Sequence, residues 1–194
     1  MNRLFALSCF LLLLSACGGK SDYINSIEKE HIRRQRVFID PDLSPLDTSE
    51  IRQFKGLQFY PANEQFKTEA VINWMPQINY LNIPQSGGDV VPYMQSAFIS
   101  FTIDGQSYQL PAYQTEEMKQ QHLLFVPFTD LTNGKETYSG GRYIDLPYVD
   151  TRRETPLDFN LSYTPYCAYT HRFSCPIVPP ANNLNIAITA GEKL

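Results

Sequence analysis

The sequence lacks the short motifs that mark the common catalytic and nucleotide-binding classes. It has no Gly-x-Ser-x-Gly nucleophile elbow, no His-Glu-x-x-His zinc motif, no complete Gly-x-x-x-x-Gly-Lys-Ser/Thr phosphate-binding loop and no dinucleotide-binding glycine fingerprint. Enzymes built on these motifs are therefore excluded. Whether the protein is an enzyme of another kind, and whether it uses a cofactor, is unknown from the sequence.

A hydrophobic run long enough to cross a membrane is also missing. The longest run, residues 4–14, has eleven residues interrupted only by Ser8, whereas a spanning helix needs about 20 and an export signal about 7 to 15. Its end, Leu14-Ser15-Ala16-Cys17, resembles the lipobox at which bacterial lipoproteins are acylated on the cysteine and cleaved before it. We therefore predict a lipoprotein signal peptide over 1–16, a lipidated tether over 17–21 and one globular domain over 22–194. The alternative is an ordinary signal peptide in which Cys17 is incidental.

Acylation of Cys17 makes the lipid bilayer the first predicted partner. Each buried methylene of an acyl chain adds about 0.8 kcal/mol to membrane binding, so several chains anchor a protein firmly. Gly18 follows the cysteine, at the position where an aspartate is associated with inner-membrane retention in enteric bacteria. The predicted location is the cell envelope, with the outer membrane favoured over the inner membrane.

The sequence has fewer basic than acidic residues. The 16 lysines and arginines are outnumbered by 20 aspartates and glutamates, which gives a formal net charge of −4. This balance argues against nucleic acid as a partner, because such proteins present clustered basic residues to phosphates. A small molecule or another envelope protein is the remaining kind of ligand.

Cysteines are few, and their number is informative. Of four, Cys9 lies in the signal peptide and Cys17 in the lipobox, so the domain keeps Cys167 and Cys175. A pair in an oxidising compartment favours a disulfide, which would stabilise the fold by roughly 2 to 3 kcal/mol. His171 lies midway between them, but a closed zinc site needs four ligands, so we predict no metal. Free thiols are the remaining alternative.

Helical periodicity is limited to two places. Residues 22–38 place apolar residues towards one side and charged residues on the other, which predicts an N-terminal helix that ends before Pro41. Residues 115–121 are typical of a short capped helix. Residues 76–96 contain three prolines and Gly87-Gly88, so we expect a long loop there.

The rest of the domain is typical of antiparallel β structure. Asp104-Gly105 lies between two apolar runs and predicts a tight hairpin. The fold class expected is mainly β, an antiparallel sandwich or small barrel with an N-terminal helix. Eight runs have strand length and strand composition: 57–60, 66–73, 97–103, 106–110, 123–128, 142–146, 157–161 and 184–190.

Two stretches carry candidate binding residues. Backbone amides near Gly134, Gly140 and Gly141, with Arg142, could bind an anion such as a carboxylate or phosphate. Glycines that form hairpin turns, with Arg142 paired to Asp130 or Asp145, would give the same pattern. Alternation over 157–161 places two polar side chains on one face of a strand, where they bind a ligand or simply face water. The predicted pocket is lined by Tyr138, Arg142, Asp158, Asn160 and Tyr163.

A hydrolase is the alternative function. Its acid and base would come from the carboxylates of Asp130, Asp145, Asp158 and Glu192, whose separations a sequence does not reveal. Its substrate would be a component of the cell envelope. The function favoured by the sequence is a membrane-anchored envelope lipoprotein that serves as a binding or structural module.

Several segments spread along the domain form one recognisable set. They include Phe54-Lys-Gly-Leu-Gln-Phe-Tyr-Pro61, Glu136-Thr-Tyr-Ser-Gly-Gly-Arg-Tyr143 and Leu157-Asp-Phe-Asn160, and others lie at 44–46, 125–130, 163–167, 174–176 and 190–192. Together they resemble the bacterial and archaeal family known as domain of unknown function 1684. The resemblance implies no catalytic role for any residue. It marks 130–142 and 158–175 as signature segments. Ser139 replaces an expected glycine, which weakens the anion-site hypothesis, and His171 lies outside the motif, which further weakens zinc.

Overall fold

The structure, a computed structural model, describes residues 21–194 and is mainly β. The predicted signal peptide and, apart from Ser21, the predicted tether lie outside the described residues. Within the described part of the chain, no helix is both long and apolar enough to span a bilayer.

The predicted N-terminal helix is confirmed as α1, Asp22–Ile39. Ser21 caps it, because its side chain accepts a hydrogen bond from the backbone amide of Ile24 at 3.2 Å. The helix ends where Asp40 adopts an extended conformation before Pro41. A second helix, α2 (Thr48–Gln53), starts with a capping box, and the short helix expected near 115–121 is α3, Glu116–Gln120.

Six antiparallel strands form one barrel-like sheet that is nearly closed. With two further short strands, the bounds are β1 Gln58–Phe59, β2 Lys67–Pro84, β3 Val90–Ile103, β4 Gln106–Gln114, β5 Leu123–Phe128, β6 Arg142–Pro147, β7 Glu154–Asp158 and β8 Glu192–Lys193. The order in the sheet is β6-β5-β4-β3-β2-β7, and β1 and β8 pair separately. Of the two predicted architectures, the sheet therefore resembles the barrel.

The strand periodicity builds the core. Alternate residues of β3, such as Ile99, Phe101 and Ile103, are buried in the barrel interior. The predicted hairpin joins β3 to β4, where Asp104 and Gly105 both adopt positive φ, 52° and 76°. Two successive positive φ values are characteristic of the two-residue turns that match the twist of the strands.

The long loop expected over 76–96 was the wrong prediction, because β2 and β3 continue through it as a paired arm. Register is lost only between Trp74 and Asn79, around Pro76. The arm tolerates prolines because no second strand pairs with either of its strands there: β7 pairs with β2 only up to Val71, and β4 pairs with β3 only from Met94 onward. The carbonyl of Pro84, at the end of β2, accepts a hydrogen bond from the loop amide of Ile177 at 2.8 Å.

The prediction of a strand over 184–190 was also wrong. That segment has no ladder in the structure, and its backbone bonds to neighbouring loops and side chains instead. The amide of Leu131 donates to the carbonyl of Ile186 at 3.1 Å, and the guanidinium of Arg142 donates to the carbonyl of Ile188 at 2.8 Å. Loop backbone and side-chain partners together satisfy backbone groups that a strand ladder would have used.

Candidate functional site

A cleft of about 950 Å³ lies between the N-terminal helix and the barrel. Its walls come from one side of α1, from residues 143–147 of β6 and from parts of the segment 158–176 that follows β7. The α1 residues that line it are Tyr23, Ser26, Ile27, Glu30, His31, Arg33 and Arg34. We call it the α1 cleft. Along β6 the pleat separates two faces: Ile144 and Leu146 belong to the barrel core, whereas Tyr143 and Asp145 belong to the opposite face.

The alternation expected over 157–161 stops at Asp158. There the strand ends and Asp158 caps a single 3-10 turn, Phe159–Leu161. The carboxylate of Asp158 accepts hydrogen bonds from the hydroxyl of Tyr23, at 3.0 and 2.9 Å, and from the side-chain amide of Asn160, at 3.0 Å. Burial and the neighbouring Asp158 raise the pKa of Tyr23. The two polar residues therefore act together, but not as one wet face of a strand.

Asn160 is buried and uses its whole side chain. Its amide nitrogen donates to the hydroxyl of Tyr23 at 2.9 Å and to the carbonyl of Asn63 at 2.8 Å, and its oxygen accepts from the amide of Asn63 at 2.8 Å. Nε2 of His31 donates to the backbone carbonyl of Asn160 at 2.9 Å, while the imidazole stacks on Phe59 with centroids 4.0 Å apart. These contacts hold α1 at the edge of the cleft.

A second network ties the same helix to the C-terminal segment. Nε of Arg34 donates to Glu192 at 2.5 Å, Nη2 of Arg34 donates to the carbonyl of Thr164 at 3.1 Å, and its guanidinium lies 4.7 Å from the ring centroid of Tyr163. Glu192 has no solvent exposure and also accepts a hydrogen bond from Tyr169. Arg34 lies 158 residues from Glu192, and no local sequence pattern indicates this pair.

Asp145 faces the α1 cleft with a single neutral donor. The hydroxyl of Tyr163 donates to its carboxylate at 2.9 Å. The side chain of Asp145 keeps contact with solvent, but the surrounding walls of the cleft partly desolvate its carboxylate and raise its pKa, although Tyr163 and Arg34 oppose the shift. The pKa of Tyr163 is raised in turn by burial and by Asp145.

Arg142 and Tyr138 do not line the α1 cleft. Arg142 is fully buried and pairs with Asp130 at 2.8 Å, while it also donates to the carbonyl of Ala190 at 2.5 Å. The pairing with Asp130 that the sequence left open is therefore present, and it occupies the guanidinium expected to bind an anion. Gly141, with φ of 94°, forms the turn before β6. Of the predicted pocket, the structure brings together Asp158, Asn160 and Tyr163.

The two cysteines of the domain are adjacent. The backbone amide of Cys167 donates to Sγ of Cys175 at 3.3 Å, and both residues are free thiols in the structure. Burial raises the pKa of Cys175 to about 12. The disulfide stays a prediction. No group of three or more metal-binding side chains occurs among residues 21–194.

The four candidate carboxylates separate into two classes. Asp130 and Glu192 are buried in pairs with Arg142 and Arg34, so a substrate in the cleft would not reach them. Asp145 and Asp158 both line the α1 cleft. Sequence alone could not separate these classes, because the distinguishing partners come from distant parts of the chain.

Two comparisons relate this chain to proteins of unknown function. The profile of the family described as "Protein of unknown function (DUF1684)" matches residues 52–193. An uncharacterised protein of Haloarcula marismortui, whose structure was solved in solution by NMR, is 33% identical, with 89% of this chain and 95% of that chain covered and a TM-score of 0.67. No protein with a curated description matches.

Proposed function

This chain belongs to the DUF1684 family of proteins of unknown function, and from the site itself we propose that it is a lipid-anchored binding protein of the cell envelope. The observation that carries the proposal is the α1 cleft, whose volume of about 950 Å³ falls within the range of about 300 to 1,000 Å³ common for small-molecule sites.

The walls of the cleft combine an aromatic surface with a few charged groups. Tyr93, Phe125, Tyr143 and Tyr163 form a continuous row of rings, with successive centroids 5.8, 4.8 and 5.8 Å apart. Asp145 lies beside this row. Ligand sites are typically built this way, because apolar walls supply most of the affinity and a few polar groups set the orientation.

The cleft is held open by the two networks that fix α1. Tyr23 and His31 bond to the turn after β7, and Arg34 bonds to the buried Glu192. A preformed cavity binds more tightly than one that must be ordered by its ligand, since less conformational entropy is lost on binding. These contacts support a binding role for the cleft.

The proposed anchor would keep the cleft near a membrane. Asp22, the first residue of α1, lies five positions after Cys17, and a step of five residues spans at most about 18 Å when the chain is fully extended. Residues lining the cleft begin at Tyr23. A ligand would therefore be taken up close to the lipid surface, on the outer membrane rather than the inner one as Gly18 suggests.

The hydrolase alternative has one observation in its favour. The raised pKa of Asp145 is what a general acid requires, and Asp158 lines the same cleft. The carboxylate of Asp158 is, however, occupied by Tyr23 and Asn160. A bell-shaped pH profile of turnover on envelope substrates, lost in Asp145→Asn, would establish hydrolysis, and inactivity across a substrate panel would remove it.

Native mass spectrometry tests the binding role. The full chain would be expressed in a bacterium, purified from the envelope in a non-ionic detergent, and measured under native and denaturing conditions. We expect a mass excess only under native conditions. It should be lost in Ser26→Trp, which fills the cleft from α1, and kept in Lys29→Trp, an exposed position of the same helix that does not line the cleft.

A negative result in both native mass spectrometry and ligand titration would argue against the binding role. Absence of a mass excess, together with no shifts of cleft resonances on titration with small aromatic and amphipathic fragments, would shift the interpretation to a structural or protein-binding module. Those titrations use the same purified protein, so loss of an endogenous ligand during purification would not hide an empty but competent cleft.

Metabolic labelling tests the anchor separately. Labelled palmitate should be incorporated into the wild-type protein and into Cys9→Ser, because Cys9 lies within the signal peptide. Cys17→Ser should abolish the label and release the protein from the membrane fraction. Labelling that persists in Cys17→Ser would contradict the lipoprotein assignment without bearing on the cleft.

A further inference from the structure

We propose that the ligand of the α1 cleft carries an alkylammonium group that pairs with the carboxylate of Asp145. The proposal rests on the proposed function and deepens it, since it names the chemical class that the cleft takes. Three observations support it: the charge balance of the cleft, the rings beside Asp145, and the apolar surface that continues from them.

The charge balance leaves Asp145 as the carboxylate in need of a cation. Arg33 pairs with Glu30 at 2.7 Å and Arg34 with Glu192 at 2.5 Å. Among residues 21–194, Asp145 has no lysine, arginine or histidine nitrogen within 4.0 Å, and the hydrogen bond it accepts comes from the neutral hydroxyl of Tyr163. An anionic ligand would meet this carboxylate without a free arginine to compensate.

Lys67 and Asp158 also carry opposite charges on the cleft walls, and they are register partners across β2 and β7. Among residues 21–194, no ion pair within 4.0 Å joins the two side chains. The ammonium of Lys67 lies 4.5 Å from the ring centroid of Tyr23, and Asp158 accepts hydrogen bonds from Tyr23 and Asn160. Asp158 is therefore already provided with donors, whereas three of the acceptor sites of Asp145 remain open to a ligand.

Aromatic rings lie close to Asp145 in the cleft. Tyr163 donates to its carboxylate, and the pKa of Tyr93 is raised by burial and then by the charge of Asp145. Phe125 and Tyr143 connect these two tyrosines. A carboxylate beside electron-rich rings is the arrangement that binds amines and quaternary ammonium groups, because both the charge and the ring quadrupole attract a cation.

The walls also fit a hydrocarbon portion. Met118, Phe125 and Phe173 line the same cleft, and Phe173 is 39% exposed. Without a ligand the cleft desolvates the charge of Asp145, and an ammonium would offset that cost by a direct ion pair in the same surroundings. The preferred ligand is thus an amine with an apolar chain. A free amine and the amine headgroup of a membrane lipid share this chemistry.

A series of isosteric probes tests the charge requirement. The full chain in a non-ionic detergent would be titrated with n-butylammonium, n-butanol and butyrate by NMR and calorimetry. We expect n-butylammonium to bind at least about tenfold more tightly than the other two. Asp145→Asn should remove the preference, since its amide can still accept from Tyr163 but carries no charge. Asp150→Asn, at an exposed carboxylate outside the cleft, should keep it.

Vesicles identify the source of the amine. Binding to phosphatidylethanolamine vesicles that depends on Asp145, with weak binding of free ethanolamine, would assign the site to a lipid headgroup. Strong binding of free amines, with no competition from the vesicles, would assign the site to a soluble amine. Both results support the proposal.

Other outcomes overturn it. Equal binding of the three butyl probes, a preference for butyrate, or an ammonium preference unchanged in Asp145→Asn would each exclude an ammonium site at Asp145. Binding of neutral or anionic probes that Ser26→Trp abolishes would leave the proposed binding function standing while the ammonium proposal fails. Absence of binding by every probe up to about 50 mM, combined with no native mass excess, would count against both.

Discussion

The guanidinium of Arg142 donates a hydrogen bond of 2.8 Å to the carboxylate of Asp130, and neither side chain is exposed to solvent. The same guanidinium donates to the backbone carbonyls of Ile188 and Ala190. It therefore fixes the chain that leads to the C-terminus against the barrel. A residue expected from its sequence neighbours to bind a ligand is thus part of the frame that supports the cleft.

Removing this guanidinium should destabilise the fold. Arg142→Ala leaves Asp130 as an unpaired buried charge, and breaking a buried pair in this way costs about 3 to 5 kcal/mol. The control is Arg33→Ala, because the Arg33–Glu30 pair is exposed, with 70% and 46% of the two side chains accessible. Its expected cost is below about 1 kcal/mol. Urea denaturation measures both, and equal costs would contradict a structural role for Arg142.

Asn160 should be the residue on which the docking of α1 depends. Asn160→Ala removes an oxygen and a nitrogen that together serve Asn63, Tyr23 and Asp158. Buried groups left without partners cost about 1 to 3 kcal/mol. We expect that loss of stability together with faster hydrogen exchange in α1. Asn79→Ala, at an exposed position, should change stability by less than about 0.5 kcal/mol, and unaltered exchange in α1 would contradict the assignment.

Two glycines with nearly the same φ allow the cost of backbone strain to be measured apart from the cost of steric crowding. Gly105 has φ of 76° and Gly191 φ of 77°. A Cβ at Gly105 would meet nothing within 4 Å, whereas one at Gly191 would lie 2.6 Å from the carbonyl oxygen of Phe159 and 2.2 Å from Oγ of Ser162. Gly105→Ala should cost about 1 to 2 kcal/mol from backbone strain alone.

Gly191→Ala should cost more than Gly105→Ala by several kcal/mol, because backbone at the turn after β7 must also move. That turn carries Asn160, so the variant should loosen α1 as well. Thermal unfolding of the two variants side by side measures the difference. Comparable melting temperatures would show that the turn yields easily and that the close approach at Gly191 is not a constraint.

The predicted disulfide is tested by mass and by redox state. Protein exported to an oxidising compartment, denatured without reductant, should weigh two hydrogens less than the reduced form if Cys167 and Cys175 are bridged. Cys175→Ser should then lower stability by roughly 2 to 3 kcal/mol under oxidising conditions. With reductant the wild type and the variant should converge. An unchanged mass would establish free thiols.

Local chemistry explains which parts of the fold are predictable from the sequence. Asp104-Gly105 determines its turn by itself, and residues 123–128 are a strand with the predicted bounds, because neighbours within a few residues fix both. The arm over 76–96 is different. Its prolines suggest a loop, yet a ladder paired on one side only accommodates them, and pairing is a property of the whole sheet.

The candidate site shows the same division. Asp158, Asn160 and Tyr163 are close in sequence and line one cleft, so a local pattern was enough to group them. Tyr23 and Arg34 reach that cleft from a helix more than 100 residues away. Their contribution depends on how α1 docks on the barrel, for which the amphipathic pattern of the helix indicates only a buried side.

Asp145 should link the stability of the protein to pH. The pKa of its carboxyl is raised above the ordinary value of 3.8 by desolvation in the cleft, so the folded state binds a proton more tightly than the unfolded state. Its contribution to stability is therefore full below about pH 4 and declines as pH rises through the raised pKa. Above the raised pKa, the ionised carboxylate of Asp145 makes the folded state less stable than a neutral side chain would at the same position.

Asp145→Asn removes that charge and should raise the melting temperature at pH 7 by about 1 to 3 °C, a small effect because the side chain keeps contact with water. The gain should shrink as pH falls through the raised pKa of Asp145, because the wild-type carboxyl is then protonated as well. Asp150→Asn should show no such pH-dependent gain, since 70% of that side chain is exposed. If Asp145→Asn lowers the melting temperature at pH 7, the carboxylate contributes to the stability of the fold. If it is stabilising, the sequence retains a destabilising charge in the cleft, as expected of a group kept to bind a ligand.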